Sequence, residues 1–198
     1  MKSKYRYIVG VDEVGRGPVA GPVTVGAVCV SVDFDMSFLK GIKDSKKLSA
    51  QKRREWKEKV KEFQENGNLV CVVSSVGPFT IDRIGISRAI ARAIKQSLSR
   101  IGVRPDECMV LLDGGLKAPW EYFFQKTIIK GDEKEPVIAL ASIFAKIHRD
   151  TKMERLAQQY KKYGFEEHKG YGTADHMKQI RKHGLSKIHR RSFLKNIK

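Results

Sequence analysis

The sequence predicts an α/β layer fold: a mixed sheet flanked by helices, followed by a basic helical C-terminal segment. Three observations carry this. Two valine-rich apolar runs, Tyr5 to Val11 and Val23 to Val32, stand together near the start without helical period. Helical and strand-like stretches then alternate, which puts antiparallel pairing first and parallel pairing later. From Gly164 the chain turns basic and is divided by Gly164, Gly170, Gly172 and Gly184. We therefore expect a core over residues 1–163 and a basic segment over 164–198 packed on it.

The elements follow in order. The first two runs are neighbouring strands with a short glycine-rich link, and Asp33 to Lys43 is irregular. Asp44-Ser45-Lys46-Lys47-Leu48-Ser49 leads into a helix from Ala50 to Glu65, with Ser49 as N-cap and Asn66-Gly67-Asn68 as its stop. Leu69 to Val76 is a third strand, broken by Gly77-Pro78. A helical stretch from Thr80 to Arg100, interrupted near Gly85, sets Ile86, Ala89, Ile90, Ala93, Ile94 and Leu98 on one face. Cys108 to Leu112 is a fourth strand closing on Asp113-Gly114-Gly115, and Thr127 to Lys130 a fifth ending in Lys130-Gly131-Asp132. A long helix runs from Pro136, which suits a first helical turn, to Tyr163. Its first half is small and apolar, hence buried; its second half is charged.

Composition narrows the class. A chain of 198 residues with 41% hydrophobic content can bury one good-sized core. No run approaches the roughly 18 to 20 apolar residues of a membrane helix. The basic N-terminus leads into a strand-like run rather than a signal peptide. Cys29, Cys71 and Cys108 lack paired spacing and read as buried thiols of a reducing, cytoplasmic compartment. The net charge of +17 far exceeds what solubility requires and favours a polyanionic partner. No segment reads as a basic amphipathic membrane anchor, so nucleic acid leads over membrane. A thermophile-style surface would add acids along with bases, and here the two are unbalanced.

The chain is organised around Gly10-Val11-Asp12-Glu13-Val14-Gly15-Arg16-Gly17-Pro18. Adjacent carboxylates sit where the first run is expected to stop, and there both can reach one site. The glycines after them let backbone approach a ligand, and the arginine between offers a fork suited to phosphate. Asp113 and Asp132 also follow apolar runs. Taken singly, each is an ordinary turn residue. Converging on one sheet rim, four carboxylates need cations to stay ionised together, and hard divalent ions such as Mg²⁺ or Mn²⁺ fit oxygen donors. Two such ions can clamp the attacking and leaving oxygens of a phosphodiester cleavage. The histidines His148, His168, His176, His183 and His189 lack zinc-protease spacing; most lie in the basic tail, where exposure or phosphate contact is the default. Neither a serine-nucleophile elbow nor a Walker phosphate loop is present.

These stretches strongly resemble the type 2 ribonuclease H family, in its bacterial ribonuclease HII form, over essentially the full length. The resemblance rests on Val11 to Pro18, Asp44-Ser45-Lys46-Lys47-Leu48, Leu112-Asp113-Gly114 and Lys130-Gly131-Asp132. It continues through Ala141 to Lys146, His168-Lys169-Gly170-Tyr171-Gly172-Thr173 and Ile188 to Phe193. It implies a ribonuclease H-like sheet and a monomeric endonuclease with Asp12, Glu13, Asp113 and Asp132 holding two Mg²⁺ or Mn²⁺ ions. One ion would activate water and the other stabilise the leaving 3′-oxygen. The implied substrates are RNA–DNA hybrids and duplex DNA with embedded ribonucleotides, cut on the 5′ side to leave 5′-phosphate and 3′-hydroxyl ends. Gly15, Arg16 and Gly17 match the segment that senses the 2′-hydroxyl, and Tyr171 the residue stacking at the RNA-to-DNA junction. Lys46 and Lys47 would contact phosphate; Ser142, Lys146 and Thr173 would bind substrate, and they and His176 lie in matched segments where core or helix-surface duty is the alternative for each. Arg190 and Arg191 would contact the nucleic-acid backbone, so the 164–198 segment would meet substrate. Two departures stand out: Gly115 where the family often has Asn, and Gly184-Leu185-Ser186-Lys187 in place of a turn that commonly contains proline. The rivals are a ribonuclease HIII, which usually carries an extra N-terminal domain whereas eleven residues precede Asp12 here, and a non-catalytic hybrid-binding module.

Overall fold

The structure, a computed structural model, describes residues 4–42 and 48–195. Five strands form one mixed sheet: β1 Tyr7–Val14, β2 Val23–Ser31, β3 Leu69–Val76, β4 Cys108–Asp113 and β5 Gln125–Ile128. Their order is β3-β2-β1-β4-β5. β1–β2 and β2–β3 are antiparallel, whereas β1–β4 and β4–β5 are parallel.

Helix α1 Ala50–Lys59 is capped by Ser49, whose hydroxyl accepts from Lys52 N, and α2 Lys61–Glu65 continues after a break at Val60. Glycine 85 likewise separates α3 Pro78–Ile84 from α4 Ile86–Ile101. The periodic residues of α4 pack under the sheet with Val9, Val11, Val23, Val25, Val110 and Leu112. The other face is covered by α6 Pro136–Gln159, whose residues 137 to 145 are all buried, as its small apolar first half requires. Contact is close because two glycines carry no side chain. A Cβ on Gly10 would overlap the Val137 carbonyl carbon, and one on Gly26 the Ala141 carbonyl oxygen.

The α6 helix ends at Gln159 rather than Tyr163. Two shorter helices follow, α7 Phe165–His168 and α8 Ala174–His183. Phe165, Tyr163, Ile180 and Leu194 pack with Met153 and Ala157 of α6 and with Ala20, giving this part of the chain a small core. Among the described residues no helix is long and apolar enough to cross a membrane.

Candidate metal centre and nucleic-acid pocket

The first correction concerns Asp12 and Glu13. They were expected where β1 stops, but pairing of Glu13 with Val25 and of Val14 with Thr24 carries the ladder past them. Asp12 pairs with Gly26 and is 1% exposed. Glu13 reaches Arg16, Oε1 to Nη1 3.7 Å. Val11 pairs with Leu112 in the parallel ladder, so Asp12 runs alongside Asp113, the last residue of β4. Neighbouring strands lie about 4.8 Å apart, which makes these two acids near neighbours.

Asp132 arrives by a different route. It sits not at a strand end but in a helical turn, α5 Gly131–Lys134, where it is buried. The turn is tied to β4 because Gly131 N donates to Asp113 Oδ1 at 2.6 Å. A Cβ at Gly131 would stand 2.7 Å from Ile138 Cδ1 and 3.3 Å from Asp113 Oδ1, so a side chain there would crowd this approach. The pairing of β1 with the end of β4, and one glycine-started turn tied to β4, thus bring three buried aspartates towards one rim.

Two of these carboxylates also serve local backbone donors: Asp12 Oδ1 accepts from Glu13 N at 2.7 Å and Asp113 Oδ1 from Gly131 N at 2.6 Å. Among the described residues no three His, Cys, Asp or Glu side chains stand as a ready-made metal cage. The donor set itself, buried carboxylates without thiolate or imidazole, suits a hard divalent cation.

Beside Glu13 lies a cavity of about 360 Å³, lined by Glu13, Gly15, Arg16, Gly17, Arg53, Ser142, Lys146 and Tyr171 among others. It gathers seven residues singled out in the sequence. Arg53 is an addition; its Nη2 lies 3.8 Å from Asp150 Oδ2, and Asp150 also accepts from Lys146 Nζ at 2.7 Å. Tyr171 is 47% exposed, so its ring is offered to the pocket rather than spent in the core. Thr173 is exposed and caps α8, accepting from His176 N at 3.3 Å. Lys46 and Lys47 lie outside the described residues.

Arg190 is the second correction. Expected on the nucleic-acid backbone, it is fully buried, and its guanidinium donates to the carbonyls of Gly15 (2.7 Å), Arg16 (2.9 Å) and Gly21 (3.0 Å). Burial, with the neighbouring Arg149 charge, pulls its pKa down to about 9, leaving it cationic at neutral pH. Arg149, also fully buried, holds Pro22 O at 3.0 Å and Ala20 O at 3.3 Å. Arg191 stays exposed, and its backbone N donates to Asp82 at 2.9 Å.

The tail histidines are the third correction, because His176 and His189 are buried. The local partners fix their tautomers. His176 Nδ1 lies 2.7 Å from the Tyr171 carbonyl and must donate, so its Nε2 accepts. His189 Nδ1 accepts from Ser186 N at 2.9 Å, leaving Nε2–H to donate across 3.1 Å to His176 Nε2. Burial pushes both down to about 4, with His189 further lowered by His176. Because these folded values lie below the ordinary 6.5, the pair stabilises the fold above pH 6.5, and that contribution is lost as pH falls towards 4. The difference in Tm between the wild type and His189→Gln should therefore shrink over that interval in a pH-resolved thermal melt. A constant difference would contradict neutral burial.

The family model described as Ribonuclease HII matches residues 9–196. The ribonuclease HII of Caldicellulosiruptor bescii is 43% identical over 194 residues, covering 98% of this chain and 89% of that protein. The chain belongs to the ribonuclease HII family. Ribonuclease H2 of Pyrococcus horikoshii superposes with a TM-score of 0.75 at 25% identity, covering 96% of each chain. A Bst ribonuclease HIII solved in complex with Mn²⁺ gives 0.67 at 20% identity, covering 90% of this chain and 63% of that one. That second likeness concerns the fold. The expected ribonuclease H-like sheet is thus the one observed.

Proposed function

We propose that this ribonuclease is a divalent-metal-dependent endonuclease that cleaves the RNA strand of RNA–DNA hybrids and cuts duplex DNA 5′ of an embedded ribonucleotide. What supports the reading is that β1 pairs with β4 up to Val11 and Leu112, just before Asp12 and Asp113, that Gly131 N ties the Asp132 turn to Asp113, and that Glu13 lines a pocket with Gly15, Arg16, Gly17 and Tyr171. Asp12, Glu13, Asp113 and Asp132 would hold two ions, Mg²⁺ or Mn²⁺. Bound there, such ions lower the pKa of water and offset charge on the departing 3′-oxygen.

The chain's own residues do the positioning. Three buried carboxylates keep the reacting phosphate near the rim only when cations balance them, so cutting is tied to metal supply. Backbone amides of Arg16 and Gly17 face the ribose, whose 2′-hydroxyl both donates and accepts. Tyr171 stacks where RNA gives way to DNA, while Lys146, Ser142, Thr173 and Arg191 meet the backbone, which fixes register without reading sequence. The protein acts as a cytoplasmic monomer, with the 164–198 segment packed on the core and bearing part of the substrate contact.

Tyr171→Ala tests this reading. Incision at a single ribonucleotide should fall about tenfold or more, the worth of one lost stacking contact, with a smaller loss on long hybrids. Steady-state rates on matched end-labelled duplexes make the comparison. Equal losses on both substrates would contradict the junction role.

A further inference from the structure

Gly15-Arg16-Gly17 presents backbone to the pocket, and Arg190 grips that backbone from behind. Every peptide in the described chain is trans, so the C=O and N–H of one unit point in opposite directions. The Gly15 carbonyl shares its unit with the Arg16 N–H, and the Arg16 carbonyl with the Gly17 N–H. Both carbonyls are drawn onto the Arg190 guanidinium, at 2.7 and 2.9 Å. Both N–H groups are therefore turned the other way, and neither has a partner among the described residues. A charged donor on a carbonyl is a strong bond, and it polarises the amide at the far end of the same unit.

The grip is itself held. Arg190 N donates to Val19 O at 2.8 Å, and Gly21 N to Ile188 O at 2.9 Å, so the loop and the C-terminal segment are stitched together. Asp82 accepts from the next two backbone amides, Arg191 N and Ser192 N, each at 2.9 Å. Gly15 has φ +88°, and a Cβ there would overlap Arg149 Nε, so the second guanidinium needs the glycine. No carboxylate hydrogen-bonds either buried arginine among the described residues; their partners are loop carbonyls.

We propose that Arg190 is a positioning residue for ribonucleotide discrimination: it aligns the Arg16 and Gly17 amides as a donor pair for the 2′-hydroxyl. This rests on the reading of Gly15–Gly17 as the segment that faces the ribose. A deoxyribose has no 2′-oxygen to accept, which leaves both donors unpaired in a desolvated interface and disfavours that nucleotide.

The test is equilibrium binding in EDTA, where no cutting occurs, to a duplex with one ribonucleotide and to the same sequence in all-DNA form. The wild type should prefer the first. In Arg190→Gln the ratio of the two Kd values should fall to near one. If Arg190→Gln does not fold, Arg190→Lys is read the same way, since an ammonium lacks the rigid planar fork whose separate nitrogens meet the Gly15, Arg16 and Gly21 carbonyls. A folded variant that keeps the full preference overturns the proposal alone. A wild-type ratio of one overturns it through the reading on which it rests. Amide spectra give a readout without substrate: Arg190→Lys should move the Arg16 and Gly17 amide protons upfield, and unmoved resonances would overturn the alignment.

Discussion

Asp113→Asn should abolish cleavage, lowering kcat by about 10³-fold or more, while the protein folds and still binds duplex. The substitution keeps the shape of the site, because an amide oxygen can accept from Gly131 N as Asp113 Oδ1 does. What it removes is one negative charge from a rim where Asp12, Asp113 and Asp132 are all buried. With fewer like charges close together, the metal-free protein should lose no thermal stability and gain a little. Activity and Tm thus move independently, which separates a catalytic loss from unfolding. Unaltered turnover would remove Asp113 from the reacting centre, and a large fall in Tm would show that its charge is needed for folding.

The second large effect is structural. Gly26→Ala places a methyl group against the Ala141 carbonyl oxygen, a backbone atom that can yield only if the whole of α6 moves. Such overpacking costs about 3 kcal/mol, equivalent to a drop in Tm of roughly 10 °C for a chain of this size. The same displacement carries Ser142 and Lys146, which line the pocket from α6, so cleavage should weaken even below the melting range. Thermal melts of Gly26→Ala and wild type, followed by single-turnover rates well below both midpoints, check the two parts. A variant as stable as wild type would mean that α6 does not depend on contact with bare backbone in β2.

Much of this arrangement is legible in the chain because it is written in local chemistry. Valine-rich runs, the Ser49 cap, the break at Gly85 and the small apolar start of α6 each act over a few residues, and those features stand where expected. The first strand, however, runs Tyr7–Val14, the helix expected from Ala50 to Glu65 breaks at Val60, and the fifth strand runs Gln125–Ile128 rather than Thr127 to Lys130. The neighbourhood of Asp12 and Asp113 follows from parallel pairing of β1 with β4, whose Val11 and Leu112 are partners just before the two acids. The errors come from partners remote in sequence. The ladder runs past Asp12 because β2 supplies Val25 and Thr24 as mates, a fact outside the first strand's own pattern. Arg190 looks like a surface cation in a basic tail, and only the fold reveals the loop carbonyls that take it out of water. His176 and His189 are thirteen residues apart, and their neutral bond depends on Tyr171 and Ser186 fixing opposite tautomers. Arg149 had one weak signal: with Met153, it continues the buried side of α6 into the charged half of the helix.

The measurement that bears most directly on the central claim is product mapping on an end-labelled duplex carrying one ribonucleotide, with Mg²⁺, with Mn²⁺ and with EDTA. A single cut on the 5′ side of the ribonucleotide, leaving a 3′-hydroxyl and requiring a divalent ion, is the predicted result. Cutting that persists in EDTA would contradict a shared cation site at the Asp12, Asp113 and Asp132 rim, and cutting that falls equally on an all-DNA duplex would contradict ribonucleotide recognition.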